Sequence, residues 1–235
     1  PLTPADADAA LALLADCSAK GGVLYKPLEK ADFLLRFFGE NRWGFAAEAG
    51  GRLVGWAHAA AQTRFLPGET PENTPLYLTL LLVEEGFRRR GAGKALLEAV
   101  RQVGRDAGKN RLMVSGNNPV HLTWLIPGAG GHDHNNAPGA NEDTPGYGYL
   151  LSQGFEDVFH EISMYMPLRD YRWDPKLDDV MEKLTAEGIY VGRWQMGMGE
   201  NYDGMCDRVG SEYWRNVLRQ ELLAWHTGHP NADPE

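Results

Sequence analysis

The run LYLTLLLV at residues 76–83 leaves the chain little choice. A short, continuously apolar segment with no polar alternation reads as a strand buried on both faces, so the surrounding chain must cover two sides of a sheet. The residues just after this run constrain the fold as strongly. FRRRGAG (87–93) opens a helix whose Leu96, Val100, Val103 and Ala107 recur at helical spacing. Adjacent arginines repel one another unless they face solvent or meet an anion, and glycines at the mouth of a helix let a backbone approach a ligand. Strand, glycine-rich turn and helix together predict an anion site.

The physical case rests on the first turn of that helix. Its N–H groups have no intrahelical acceptor, and the positive end of the helix dipole lies there. Gly91 and Gly93 carry no side chain to fend off a ligand, so the amides of about 90–93 can surround a diphosphate while Arg88 or Arg90 adds charge from the rim. Two other phosphate loops fail on the residues. Gly86 and Gly91 have the spacing of a Walker loop, but Ala92 stands where lysine is required; a dinucleotide fingerprint needs glycine at 96, where Leu96 stands. The plainer alternative is a glycine-capped basic helix start with solvated arginines.

Around this centre the chain predicts one α/β domain over 1–168. A helix is expected over 3–19, with Thr3 as cap, Pro4 and Asp6 in its first turn, and Ala9, Leu11, Leu13 and Leu14 apolar. A second is expected over 28–38 on a stripe of Phe33, Leu34 and Phe37. WGFAAEAGGRLVGWAHAAA reads as a hairpin turning at Gly50-Gly51. NRLMVSG (110–116) is a further strand, YGYLLSQGF (147–155) a short helix ended by Gly154, and FHEISMYMPL (159–168) a strand. Residues 126–147, dense in Gly, Pro, Asn and His, form an irregular segment of a length usually reserved for function.

With these elements in order, the stretch from the buried strand through Arg88, Gly91 and Gly93 resembles the acyl-CoA motif of the GNAT superfamily of N-acetyltransferases, written Arg/Gln-x-x-Gly-x-Gly/Ala. The element order over 1–168 and the Gly154-Phe155 pair after the short helix resemble that family too. The resemblance implies a mixed, mostly antiparallel central sheet flanked by helices. One departure is that the family's first strand precedes its first helix, whereas Pro1 begins almost at the helix; that strand is expected to be missing or truncated.

The resemblance also implies a chemistry: direct attack of an amine on the thioester of acetyl-CoA. This requires a neutral amine, a donor for the developing oxyanion and an acid for the departing thiolate. Strand amides near Leu82 and Val83 would bind the acyl oxygen. Arg88, Arg89, Arg90, Gly91, Ala92, Gly93 and Lys94 would hold the diphosphate, with Asn118 on the coenzyme arm. The family's acid is a tyrosine four residues before the glycine of the Gly-Phe pair, a position held here by Leu150; Tyr149 and Tyr147 are the available substitutes, or else aromatic core residues. Glu84, Glu85, Glu69 and Glu72 are candidates to relay the amine's proton, and none stands out. His121 and Trp124, at the entry to the irregular segment, are expected to line the acceptor pocket. His132 and His134 have the spacing of a metal pair, but flanking glycines and the lack of a third ligand favour a mobile lid and no metal.

Composition bounds these readings. A net charge of −9 argues against a general nucleic-acid or anionic-membrane binder. No run approaches the ~20 apolar residues of a membrane span, and Cys17 and Cys206 form no metal or disulfide pattern, which suits a cytoplasmic protein. Residues 169–235 change character. A helix to about 186, a strand over 189–195 and a helix over about 203–226 carry four of the seven tryptophans (Trp173, Trp194, Trp214, Trp225) and cannot bury a core alone. They form an extension docked on the first domain or in a homodimer, or the start of a second, truncated GNAT-like domain. The expected function is acetyl transfer from acetyl-CoA to a primary amine of a small polar molecule. The alternatives are a non-catalytic acyl-CoA sensor or scaffold and, third, a P-loop hydrolase.

Overall fold

A carboxylate starts the fold: Asp6 accepts the Thr3 N–H at 2.8 Å, and a 3-10 turn over Pro4–Asp6 feeds helix α1 (Ala7–Ala19). The computed structural model describes residues 1–63, 65, 69–116, 118–125, 133–134, 139–158, 160, 162 and 168–192, with 204, 208 and 218 as single positions. α1 buries Ala7, Ala10, Leu13, Leu14 and Cys17, a three-four spacing that leaves Ala9 exposed against expectation. On α2 (Lys30–Phe37) the stripe is as expected, with Phe33 and Phe37 buried and Leu34 partly so.

The sheet comes next. β1 (Arg42–Ala49) and β2 (Arg52–Ala60) are joined by Gly50 and Gly51 at φ 59° and 73°, the left-handed pair that a two-residue hairpin turn demands. β3 (Leu76–Val83) pairs antiparallel with β2, then α3 (Ala92–Asp106) leads to β4 (Leu112–Met113), which pairs parallel to β3. The order is β1-β2-β3-β4. β4 is far shorter than the strand expected over 110–116. β5 (Trp124–Leu125), just before the expected irregular segment, and β6 (Asp133–His134), within it, form a small separate ladder, and Tyr25 bridges to Trp124. α4 (Pro145–Ser152) starts two residues before its expected position. It ends where the Phe155 N–H reaches the Leu150 carbonyl (3.2 Å) and the Gly154 N–H that of Leu151 (3.0 Å), a Schellman closure that explains the Gly-Phe pair.

Two apolar layers hold the sheet. On one face α1 and α2 press Phe33, Phe37, Leu13 and Leu14 against Trp56, Leu80 and Leu82. Phe33 and Phe37 stack at 4.8 Å and both meet Trp56 edge-on, at 5.7 and 5.5 Å, geometries worth about 1 kcal/mol per pair beyond area burial. On the other face Leu96, Leu97 and Val100 of α3 lie on Ala57, Ala59, Leu76 and Leu78. Small residues on β2 let α3 come close. At Gly55 an added Cβ would stand 2.9 Å from the Leu82 carbonyl oxygen and 3.3 Å from the Leu96 and Val83 side chains. Gly104, buried against Leu76, completes the α3 face; Ala107, expected there, is exposed beyond the helix end. Before α1, the Leu2 N–H donates to the Gly44 carbonyl on β1 at 2.8 Å.

One polar pair lies inside. His58 on β2 is 0% exposed; its Nε2 is 3.0 Å from the Phe37 carbonyl and its Nδ1 2.6 Å from Thr79 Oγ1. A carbonyl only accepts, so Nε2 carries the proton and Nδ1 accepts from the threonine hydroxyl. Burial pushes the imidazole down to about 3; the Phe37 carbonyl opposes this and Arg42 adds to it. The ordinary histidine value is about 6.5. Below that pH the unfolded chain takes up a proton that the folded one refuses, so this contribution is intact above about pH 6.5 and lost on acidification. Unfolding free energy from urea titrations is expected to fall by ~2 kcal/mol between about pH 7 and about pH 5. A flat profile over that interval would show that His58 protonates in place.

The chain divides into two units, Pro1–Ser163 and Met164–Glu235. In the second, α5 (Lys176–Ala186) follows Trp173, whose indole donates to Asp178 at 2.9 Å, and it buries none of its residues. Ile189–Gly192, expected to begin a strand, are irregular. The expected strand over 159–168, the strand's remainder at 193–195 and the helix over 203–226 lie outside the described residues, apart from isolated positions. No described helix is long and apolar enough to cross a membrane.

Candidate active site

β3 and β4 stay together only where Leu76 faces Leu112 and Tyr77 faces Met113. From Leu78 to Val83 one edge of β3 borders a cavity of about 530 Å³. Which amides face it follows from the ladder. The Glu84 N–H donates to the Val54 carbonyl on β2 at 2.8 Å. Alternation along the strand then turns Leu82 and Leu80 toward β2 and leaves Val83 and Leu81 on the cavity edge. The Val83 carbonyl agrees, since it points to that edge and accepts Arg88 Nε at 3.0 Å. Leu82, expected to donate there, belongs to the β2 side because a β-bulge shifts the register: Leu80 pairs with His58 and Leu78 with Ala59, and Thr79 is the extra residue.

The loop closes the cavity's end. Gly91, at φ 92° and ψ −15°, is the N-cap of α3, and no side chain caps the helix. The first α3 amide with an acceptor is that of Ala95, bonded to the Gly91 carbonyl at 2.9 Å. The amides of Ala92, Gly93 and Lys94 precede it and are the unpaired first turn. An added Cβ at Gly91 would meet nothing within 4 Å, so the approach is open. Arg89, held at φ 60°, Gly91, Gly93 and Lys94 border the cavity. Arg90 does not; its guanidinium lies 5.4 Å from the centre of the Phe87 ring, and that of Arg52 lies 5.5 Å from it. Ala92 contributes backbone only. Arg88 borders the cavity but acts as a strut, bonding Val83 and standing beside Cys17. Burial pushes the Cys17 thiol up, and that guanidinium pulls it back.

The two tyrosines part company. Tyr149 borders the cavity, and a Cβ built on Gly93 would lie 3.6 Å from its hydroxyl. The hydroxyl is buried without a hydrogen-bond partner among the described residues, an unusual state for a phenol. Burial pushes it above the ordinary tyrosine value and Arg101 opposes the shift, so the group is a neutral donor. Tyr147 instead donates to Asp157 at 2.7 Å and borders an adjoining cavity. Leu150, at the family's tyrosine position, packs with Tyr149 against the apolar layer under α3 and borders the cavity too, but carries no proton to give. One residue along a helix is a rotation of about 100°, yet Tyr149 reaches the cavity because α4 docks with that face toward Gly93.

Trp124 borders the cavity and meets Tyr25 edge-on at 6.1 Å. His121 is exposed at φ 51° and outside it. Asn118 is buried in a turn of its own: its amide donates to the Ser115 carbonyl (2.8 Å) and its oxygen accepts the N–H of Val120 (3.0 Å) and His121 (3.3 Å). It therefore holds the chain after β4 and does not border the cavity. Glu84 pairs with Arg52 at 2.6 and 3.1 Å, and no carboxylate among the described residues borders the cavity. His132 lies outside the described residues; among these, no group of three or more His, Cys, Asp or Glu side chains could hold a metal ion. Sequence reasoning did not single out Cys17 or Thr79, both on the cavity wall. The signal for Thr79 was its polarity inside the run 76–83.

The chain is similar in structure to several known proteins. The aminoglycoside N-acetyltransferase AAC(6')-Iy in complex with CoA is 17% identical (TM-score 0.45; 71% of this chain, 96% of that one). An aminoglycoside acetyltransferase from an uncultured soil metagenomic sample, in complex with trehalose, is 16% identical (TM-score 0.48; 71% and 93%). An acetyltransferase of Trypanosoma brucei is 20% identical (TM-score 0.43; 71% and 95%). A search of the curated proteins finds no match in sequence. Residues 12–122, from within α1 through the buried strand, the glycine loop and α3 to Leu122, match the model of the family described as Acetyltransferase (GNAT) family.

Proposed function

We propose that this chain is an acetyl-CoA-dependent N-acetyltransferase acting on a primary amine of a small polar molecule. The observation that carries the reading is a coincidence in one cavity: the open edge of β3, the unpaired first turn of α3 and a phenol with no partner. Each suits one part of the thioester. The amides of Ala92, Gly93 and Lys94, with Arg89 and Lys94 at the rim, suit the diphosphate. The Val83 and Leu81 amides suit the acyl oxygen as negative charge develops on it.

Acetyl-CoA supplies an activated acyl carbon; a C–N bond forms there as the C–S bond breaks. Tyr149 then gives its proton to the departing sulfur. Arg88 Nε occupies the Val83 carbonyl at the end of β3. With no carboxylate on the described wall, the amine's proton passes to water. Trp124 and Tyr25 form an aromatic wall of the same cavity.

Calorimetry with acetyl-CoA, followed by thiol release across a panel of small amines, tests the reading. Binding with turnover for at least one amine is expected. Binding without turnover across the panel would make the chain an acyl-CoA sensor, and no binding would remove the coenzyme site altogether.

A further inference from the structure

The bulge at Thr79 decides what β3 offers the cavity, and its cause lies on the opposite face of the sheet. Before the bulge, the Leu76 N–H donates to Arg111 on the β4 side at 3.0 Å. Strict alternation would keep even-numbered amides on that side through Leu80 and Leu82. After the bulge the parity is reversed: Glu84 bonds Val54, and the cavity edge carries Leu81 and Val83. Side chains switch with the backbone. Leu76 and Leu78 pack under α3, whereas Leu80 and Leu82 pack under α1 and α2.

Moving the bulge by one residue would exchange the faces of the side chains between its old and new positions, so burial already limits it, and a side-chain hydrogen bond across the bulge adds a directional anchor. Thr79 makes that bond. Its hydroxyl is 2.6 Å from His58 Nδ1 and 3.2 Å from the His58 carbonyl, and His58 Nε2–H is held in turn by the Phe37 carbonyl at the end of α2. Thr79 is 4% exposed and still borders the cavity. The hydroxyl has one proton, which goes to the nearer Nδ1, and losing that bond would leave a buried ring nitrogen unpaired at a cost.

We propose that His58 is a positioning residue for acyl transfer: through Thr79 it fixes the bulge that puts the Leu81 and Val83 amides, rather than those of Leu80 and Leu82, on the acyl oxygen. The proposal rests on the acetyltransferase reading above. It goes beyond that reading by naming a residue that touches neither coenzyme nor amine.

Amide spectra of the whole chain test it without turnover. Adding acetyl-CoA in place of CoA is expected to shift the Leu81 and Val83 amides and leave those of Leu80 and Leu82 in place. The reverse pattern overturns the proposal, whereas a chain that binds neither compound overturns the underlying reading instead. In steady-state assays Thr79→Val keeps the shape but removes the hydroxyl. Its kcat is expected to fall roughly 10- to 100-fold, with KM for acetyl-CoA within about twofold, because the lost amides act on developing charge. Thr79→Ser, which restores the hydroxyl, is expected to recover most of that loss. A Thr79→Val protein that melts earlier yet keeps its kcat would make the pair a matter of stability alone and overturn the proposal. If Thr79→Val does not fold, the same amide comparison in His58→Gln decides the matter: Leu81 and Val83 shifts identical to those of the wild-type chain overturn the proposal.

Discussion

Replacing Tyr149 by phenylalanine is expected to lower kcat for acetyl transfer about 100-fold while leaving the melting temperature unchanged or slightly higher. The two halves of this expectation come from one fact. The hydroxyl is buried and makes no hydrogen bond among the described residues, so its removal breaks no bond that holds the fold. A loss of activity in Tyr149→Phe therefore cannot be assigned to unfolding. The raised phenol stays protonated through neutral pH, so the donor form is always present. Tyr147→Phe is the control. Its hydroxyl is already committed to Asp157, and kcat is expected to stay within about twofold. Thiol-release kinetics and thermal melts on both variants check this. An unchanged kcat in Tyr149→Phe would reduce that residue to a core aromatic.

Gly91→Val is expected to weaken acetyl-CoA binding by roughly 10- to 100-fold. At φ 92° a β-branched residue is strained by about 1–3 kcal/mol, although space is open around it, so the turn must re-form before the amides of Ala92 to Lys94 converge. Each 1.4 kcal/mol corresponds to about tenfold in affinity. The size of the ligand separates this effect from general damage. Acetyl-pantetheine lacks the diphosphate, so its kcat/KM should differ little between wild type and Gly91→Val. Equal losses for both thioesters would mean that the loop supports the acyl site rather than the diphosphate.

The domain was legible where structure is dictated locally. The run 76–83 announces a two-sided strand, Gly50-Gly51 its hairpin, Gly154-Phe155 a helix end, and Gly91-Ala92-Gly93 an uncapped first turn; each depends on a few neighbouring residues and on backbone sterics. β4 was overestimated because a strand's length depends on its partner, and β4 parts from β3 after Met113. Ala9 and Ala107 were misplaced because apolar character alone does not tell which face of a helix is covered.

The sequence alone settled the strand, the glycine turn and the amphipathic helix, because backbone conformation is fixed by near neighbours. Only the folded chain decided that β3 splits from β4, that Thr79 bulges toward His58, and that Tyr149 rather than Leu150 meets Gly93. Those outcomes depend on groups many residues apart. A one-residue shift in pairing reverses which amides face the cavity, and composition carries no record of that parity.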